Sequence, residues 1–191
     1  MMTDRQARTI LLGVWPGRSL AEYQIVQAIG RFEGNYGAAF DGANNRGASA
    51  LSTAPTPAEC PIGTTGTLDH RADGSPYWAC ITRFSTPDAG ARSLVRALTA
   101  PRRPTVAAAL RTGNAAQVAR AMSRTGYMAQ TPDKYAIAIQ RNASTIARAL
   151  GEPLRVTSSA SSSRSSSIPL FVFVAAALEV LFFALVSRGR S

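Results

Sequence analysis

Proton chemistry near neutral pH needs a carboxyl, imidazole or phenol held in an unusual environment, and this chain has few to choose from. The first is Glu33. It lies four residues after Ile29, at the edge of an apolar helical face and just before Gly34, a residue type at which helices stop. Desolvation there pushes a carboxyl toward its neutral form, and a neutral carboxyl can donate its proton to a leaving-group oxygen. The alternative is an ordinary exposed glutamate in a last helical turn. A second set of titratable groups sits in Asp69-His70-Arg71-Ala72-Asp73-Gly74, where Asp69 and Asp73 flank the only histidine. Either carboxylate could be the partner of Glu33; the competing reading is an Asp-Gly turn beside a surface histidine. Tyr127 is the third. It follows Gly126 in a short connection between two helices, where a rigid turn can aim the phenol into a cleft. Cys60 and Cys80 are the only cysteines, with no clustered histidine to complete a metal site. Joined, they would staple a loop poor in core residues, contribute roughly 3 kcal/mol in the chain-entropy description, and place maturation in an oxidising compartment. Unjoined, they are two buried thiols.

Helices must position these groups. Ser19 can N-cap the first, with Glu22 three residues on, and Ile25, Val26, Ile29 and Phe32 form its apolar stripe up to Glu33. Residues 1–18 read as an N-terminal arm that rests Trp15 on the domain. From 34 to 84 the chain is rich in Gly, Pro, Thr, Asn and Asp, with Tyr77-Trp78-Ala79-Cys80-Ile81-Thr82 as a β-prone piece, which is the composition of long loops around a small hairpin. Helical periodicity returns at Thr86-Pro87, an N-cap followed by proline at the first helical position; Leu94, Val95 and Leu98 make one face before Pro101. A short helix is expected from Thr105 to Thr112 and another from Asn114 to Gly126. A last one runs from Thr131-Pro132 to Gly151, with Tyr135, Ile139, Ile146 and Leu150 at helical spacing. At that spacing Tyr135 reads as core.

Four blocks, taken in order, resemble a known family. Glu33-Gly34-Asn35-Tyr36-Gly37 followed by Asn44-Asn45-Arg46-Gly47 is similar to the Glu-Ser/Gly-x-x-Gly and Asn-Asn-x-(Phe)-Gly motifs of the cell-wall glucosaminidases of glycoside hydrolase family 73, in the lysozyme-like superfamily. Arg83-Phe84 leading to Thr86-Pro87-Asp88-Ala89-Gly90 resembles the family's Arg-Phe segment before a helix. Gly126-Tyr127 with Thr131-Pro132-Asp133-Lys134-Tyr135 resembles its Tyr-x-Thr-(Asp)-Pro-x-Tyr element. Gly34 stands where serine is commoner, and Arg46 where an apolar residue is preferred. The resemblance implies a mainly α (α+β) lysozyme-like domain over residues 19–151, with a small loop and β-hairpin lobe as one wall of a glycan cleft. It implies hydrolysis of β-1,4 bonds in the peptidoglycan glycan strand, with Glu33 as general acid, Tyr127 near the reacting sugar, and no metal or organic cofactor. The second catalytic group is open between Asp69, Asp73, Tyr127 and the substrate's own acetamide. Asn44, Asn45, Tyr36 and His70 are the expected substrate contacts, the asparagines through amide donors and acceptors to acetamido groups; the alternative for that pair is a loop that caps its own backbone. Muramidase and lytic transglycosylase chemistry use the same kind of acid, so the bond cleaved stays open.

The rest of the sequence bears on where such a domain would work. The formal net charge of +10 over 191 residues is carried almost wholly by arginine, Lys134 being the only lysine. That pattern is read as coding bias and not as a nucleic-acid footprint, although a positive surface is drawn to polyanionic envelopes in a salt-sensitive way. Residues 152–167 read as a linker, ending in a Ser-rich run too polar to bury a core. Residues 168–187, IPLFVFVAAALEVLFFALVS, are near the minimum length for a transmembrane helix. Glu179 interrupts them at a cost of about 2 to 3 kcal/mol if ionised at mid-bilayer, and sharing it between helices would make a homo-oligomer. The tail 188–191 carries Arg188 and Arg190, which favours a cytoplasmic C-terminus and an extracytoplasmic domain. No cleavable signal peptide is visible, since the apolar run Ile10–Trp15 is short and ends at Pro16. A membrane-penetrating phage particle reconciles these points, because a virion protein bypasses host secretion. Two other functions stay open: wall binding without catalysis, and membrane perturbation by the tail.

Overall fold

Capping chemistry sets where the helices of this chain begin. In the computed structural model, which describes residues 2–37, 43–47, 50–70, 74–127 and 131–158, α1 (Asp4–Val14) and α2 (Leu20–Gly34) each start in a capping box, Thr3 with Gln6 and Ser19 with Glu22. The Thr86 hydroxyl accepts the Ala89 N–H at 3.2 Å to open α3 (Pro87–Thr99). The Asn114 side chain accepts the Gln117 N–H at 3.0 Å to open α5 (Ala115–Arg124). Both α4 (Pro104–Thr112) and α6 (Pro132–Leu150) start on proline, and each ends where a glycine takes left-handed backbone, Gly113 at φ 68° and Gly151 at φ 67°. The starts of α2, α3, α5 and α6 agree with the capping signals read from the sequence, and α4 begins one residue before its expected start at Thr105.

Three antiparallel strands, β1 (Ala50–Ala54), β2 (Thr64–His70) and β3 (Pro76–Thr82), form a small sheet in the order β1-β3-β2. The expected hairpin is β2–β3, running in register from Thr64 opposite Thr82 to His70 opposite Pro76. β1 was not legible, because Ala50-Leu51-Ser52-Thr53-Ala54 alternates weakly and four of its five residues are exposed. The expected disulfide joins Cys60 to the buried Cys80 of β3, with Cα atoms 5.4 Å apart. The chain is thus mainly α with a small sheet, an α+β fold.

α2 is the helix the others pack on. Ile25, Ala28 and Ile29 have no exposed surface, and α1, α3, α4 and α6 all lie against it. Two segments extend the domain beyond its expected limits of 19 and 151. Residues 4–14, expected as part of an arm, are the helix α1. It buries Ala7 and Leu11, with Trp15 just beyond, and its Arg8 donates to Gln27 Oε1 at 2.8 Å and to Glu152 at 2.5 Å. Arg8 itself had disguised the helix, since a charge on the buried side breaks the apolar stripe. Residues 152–157, expected as linker, are held by Gln24, whose amide donates to Pro153 O at 2.9 Å and accepts the Arg155 N–H at 2.8 Å. Val156 is buried, and Thr157 pairs with Asn114 in a parallel bridge. The compact unit accordingly runs from Met1 to Ser159. The apolar run 168–187 and most of the Ser-rich tether lie outside the described residues; among those described, no helix is long and apolar enough to cross a membrane.

Candidate functional site

Glu33 occupies the last turn of α2, which Asn35 closes in left-handed backbone at φ 44°. The turn aims the Glu33 carboxyl at α6, where the Tyr135 hydroxyl hydrogen-bonds its Oε1. Tyr135 is buried, and its ring meets the edge of Phe32 with centroids 5.2 Å apart and planes at 89°. Adjacent residues of α2 therefore fix one phenol, Phe32 by its ring and Glu33 by its hydroxyl. Burial raises the Glu33 pKa, and the bond from Tyr135 opposes that rise without cancelling it. Tyr135 was expected as core. It is core and also the group that holds the carboxyl. Its position one turn inside α6 and its place in the Thr131–Tyr135 block were the only sequence signals, and neither says which way a hydroxyl 102 residues away will point.

Tyr127 completes the cluster. It follows α5 and Gly126, whose φ of 66° turns the chain sharply. Its hydroxyl is buried and has no hydrogen-bond partner among the described residues. The Arg103 guanidinium lies over the ring at 5.1 Å from the centroid. Burial pushes the Tyr127 phenol pKa up, the nearby Glu33 charge pushes it further, and Arg103 opposes both. Tyr135 is pushed up by burial, then by the charges of Glu33 and Tyr127. Glu33, Tyr127 and Tyr135 thus lie within electrostatic reach of one another. The Glu33 carboxylate accepts a hydrogen bond from the Tyr135 hydroxyl, and the buried Tyr127 hydroxyl lacks, among the described residues, the partner that a buried hydroxyl ordinarily has.

The other expected residues are placed elsewhere. Tyr36, expected to touch substrate, is 4% exposed. Left-handed backbone at φ 58° carries its ring inward, where the hydroxyl donates to Asp4 Oδ1 at 2.5 Å and accepts from Gln27 Nε2 at 3.3 Å. It locks α1 to α2 and is corrected here to a structural residue. Arg46, standing where an apolar residue was noted as usual, is buried with its guanidinium over the Tyr36 ring at 5.9 Å. Asn44 and Asn45 pin their loop to the end of the sheet: Asn44 donates to Phe84 O at 2.9 Å, and Asn45 donates to Thr82 O at 3.0 Å and accepts the Gly47 N–H at 3.3 Å. Of these bonds only that to Gly47 caps the loop's own backbone, the reading weighed against substrate contact; the other two reach backbone at Thr82 and Phe84. Asn44 O lies so close to Gly90 that a Cβ there would stand 1.7 Å from it. Asp69 is exposed on β2, its carboxylate accepting the Tyr77 hydroxyl and the His70 N–H, each at 2.8 Å. His70 is exposed at the strand end, opposite Pro76. No hydrogen bond or ion pair joins Asp69 or His70 to Glu33 among the described residues; Asp73 lies outside them. No group of three or more His, Cys, Asp or Glu gathers to hold a metal ion among the described residues.

The structure therefore brings together Glu33 and Tyr127, adds Tyr135 and Arg103, and leaves the sheet-borne candidates apart. No family model, curated protein or solved structure matches this chain.

Proposed function

We propose that this chain is a peptidoglycan hydrolase of lysozyme-like architecture, in which Glu33 is the general acid that protonates the oxygen of a β-1,4 glycosidic bond. The observation that carries the reading is the Glu33 cluster: a carboxyl at a helix end, its pKa raised by burial, bonded by Tyr135 and within electrostatic reach of Tyr127, whose hydroxyl has no hydrogen-bond partner among the described residues. A raised pKa keeps the proton on the carboxyl to higher pH than in an ordinary glutamate, and a positioned acid of this kind contributes about 10²- to 10⁴-fold in rate, or about 3 to 5 kcal/mol off the barrier.

Charge develops on the sugar ring as the bond breaks, and a second group must meet it. Tyr127 is favoured over Asp69 for that role, because it lies within electrostatic reach of Glu33 while Asp69 accepts from Tyr77 on β2. It would hydrogen-bond the reacting sugar or orient the attacking group. The substrate's acetamide remains the alternative nucleophile. The four sequence blocks that resemble the glucosaminidases of glycoside hydrolase family 73 support the same assignment. In this reading residues 168–187 anchor the domain in a bilayer, with the hydrolase outside the cytoplasm or within a virion. Digestion of purified peptidoglycan followed by mass spectrometry tests the proposal. A new reducing-end sugar marks hydrolysis and identifies the bond, an anhydro sugar marks a transglycosylase, and absence of any soluble muropeptide rejects the enzyme reading in favour of wall binding or membrane perturbation.

A further inference from the structure

From Ala89 to Pro132 the chain carries seven arginines and no aspartate or glutamate. Six of them, Arg92, Arg96, Arg102, Arg111, Arg120 and Arg124, are exposed, and none makes an ion pair among the described residues. Segregated charge alone fits a solvated face. The α4–α5 hairpin adds a shape to it. Between the two helices lies a groove of about 330 Å³, walled by Thr105 and Thr112 of α4 and by Gln117, Arg120 and Arg124 of α5, with alanines between them. Arg120 and Arg124 stand one helical turn apart on the same edge. Like charges at that spacing repel, a cost that an anion between them would reverse. Thr105 comes two residues after Arg103, Arg124 comes three before Tyr127, and Arg103 lies over the Tyr127 ring at 5.1 Å.

We propose that the α4–α5 groove binds a phosphodiester-linked polyol chain, the chemistry of an anionic cell-wall polymer. Arg120 and Arg124 supply charge-assisted hydrogen bonds to phosphate, and Thr105 and Gln117 offer the mixed donors and acceptors that polyol hydroxyls need, while the Thr112 hydroxyl is engaged by Ala109 O and the Asn114 N–H. No aromatic side chain lines the groove, so it lacks the stacking surface on which single-stranded nucleic acid relies. Nor does any large apolar side chain line it, as a lipid tail would require. The proposal extends the wall-directed reading of Glu33 without depending on it, because binding is measured in the absence of turnover.

The test is fluorescence anisotropy of a labelled poly(glycerol phosphate) oligomer with the full chain in detergent micelles. Wild-type chain should bind it, with affinity falling as salt rises. The double substitution Arg120→Gln/Arg124→Gln should weaken binding about tenfold or more, as loss of two charge-assisted contacts requires. Arg92→Gln/Arg96→Gln on α3 removes the same charge outside the groove and should change it less than about twofold. Circular dichroism confirms that both variants are folded. Equal losses from the two pairs, equally tight binding of an oligonucleotide with the same number of phosphates, or no binding of the polyol phosphate by wild-type chain would each overturn the proposal. Loss of muropeptide release with binding intact would instead strike only the hydrolase reading.

Discussion

Two opposing influences act on Glu33: burial raises its proton affinity, and the Tyr135 hydroxyl stabilises the anion and lowers it. Removing the hydroxyl should leave burial unopposed. Tyr135→Phe is therefore expected to move the alkaline limb of the pH dependence of kcat/KM to higher pH, while kcat falls because the carboxyl loses its fixed orientation. A limb that stays in place or moves to lower pH would contradict the assignment of Tyr135 as the positioning residue. The same raised pKa has a stability consequence. A carboxyl whose folded pKa lies above its unfolded value contributes stability that is fully present below the unfolded pKa and is lost as pH rises through the folded one. Glu33→Gln keeps an acceptor for Tyr135 and cannot ionise. In urea melts the glutamine variant should gain stability relative to wild type as pH rises from 4 to 8; a relative loss over that range would show that the folded protein favours the charged carboxylate.

Among the elements, α3 and the Asn44 loop meet in a very close approach. A Cβ at Gly90 would stand 1.7 Å from Asn44 O, and a backbone carbonyl held by Asn44 and Asn45 cannot swing aside as a side chain would. Alanine in a helix interior gains about 1 kcal/mol over glycine, whereas overpacking of this kind costs about 1 to 3 kcal/mol or more. Gly90→Ala is expected to lose about 2 kcal/mol net by chemical denaturation; a stabilised variant would show that the loop is free to move. Elements of this kind differ in how far the sequence declares them. Capping boxes, prolines at first helical positions and glycine stops announced α2 through α6, because each is a local hydrogen-bonding solution written in neighbouring residues. α1 was hidden by Arg8, whose partners Gln27 and Glu152 are remote in sequence. β1 was hidden because its residues bury almost nothing and its pairing with β3 is a long-range choice.

At the scale of the whole molecule, the two ends of the compact unit are fastened to each other. Arg8 of α1 bonds Glu152 with both carboxylate oxygens, at 2.5 and 2.8 Å, and its side chain is only 8% exposed. Removing one partner strands a mostly buried charge, at a cost approaching the 3 to 5 kcal/mol of a fully buried pair; the partial exposure of Glu152 brings the expectation for Glu152→Ala to about 2 kcal/mol. A change under about 0.5 kcal/mol, the range of a surface substitution, would mean that residues 152–157 are not integral to the domain. The candidate site shows the same division between local and remote information. Glu33 was legible because a helix end, a stripe edge and a following glycine lie in one stretch. Tyr135 and Arg103 were not, since their relation to Glu33 and Tyr127 exists only once α2, α4 and α6 have packed. Tyr36 misled because a motif position says nothing of the left-handed turn that carries its ring inward.

Whether the Glu33 carboxyl supplies the proton that breaks the glycan strand is decided by side-by-side digestion of peptidoglycan with wild-type and Glu33→Gln chains. Wild type is expected to release soluble muropeptides, and the glutamine variant, folded by circular dichroism, to be slower by about 10²-fold or more. Release at the wild-type rate by the glutamine variant would contradict that role of Glu33.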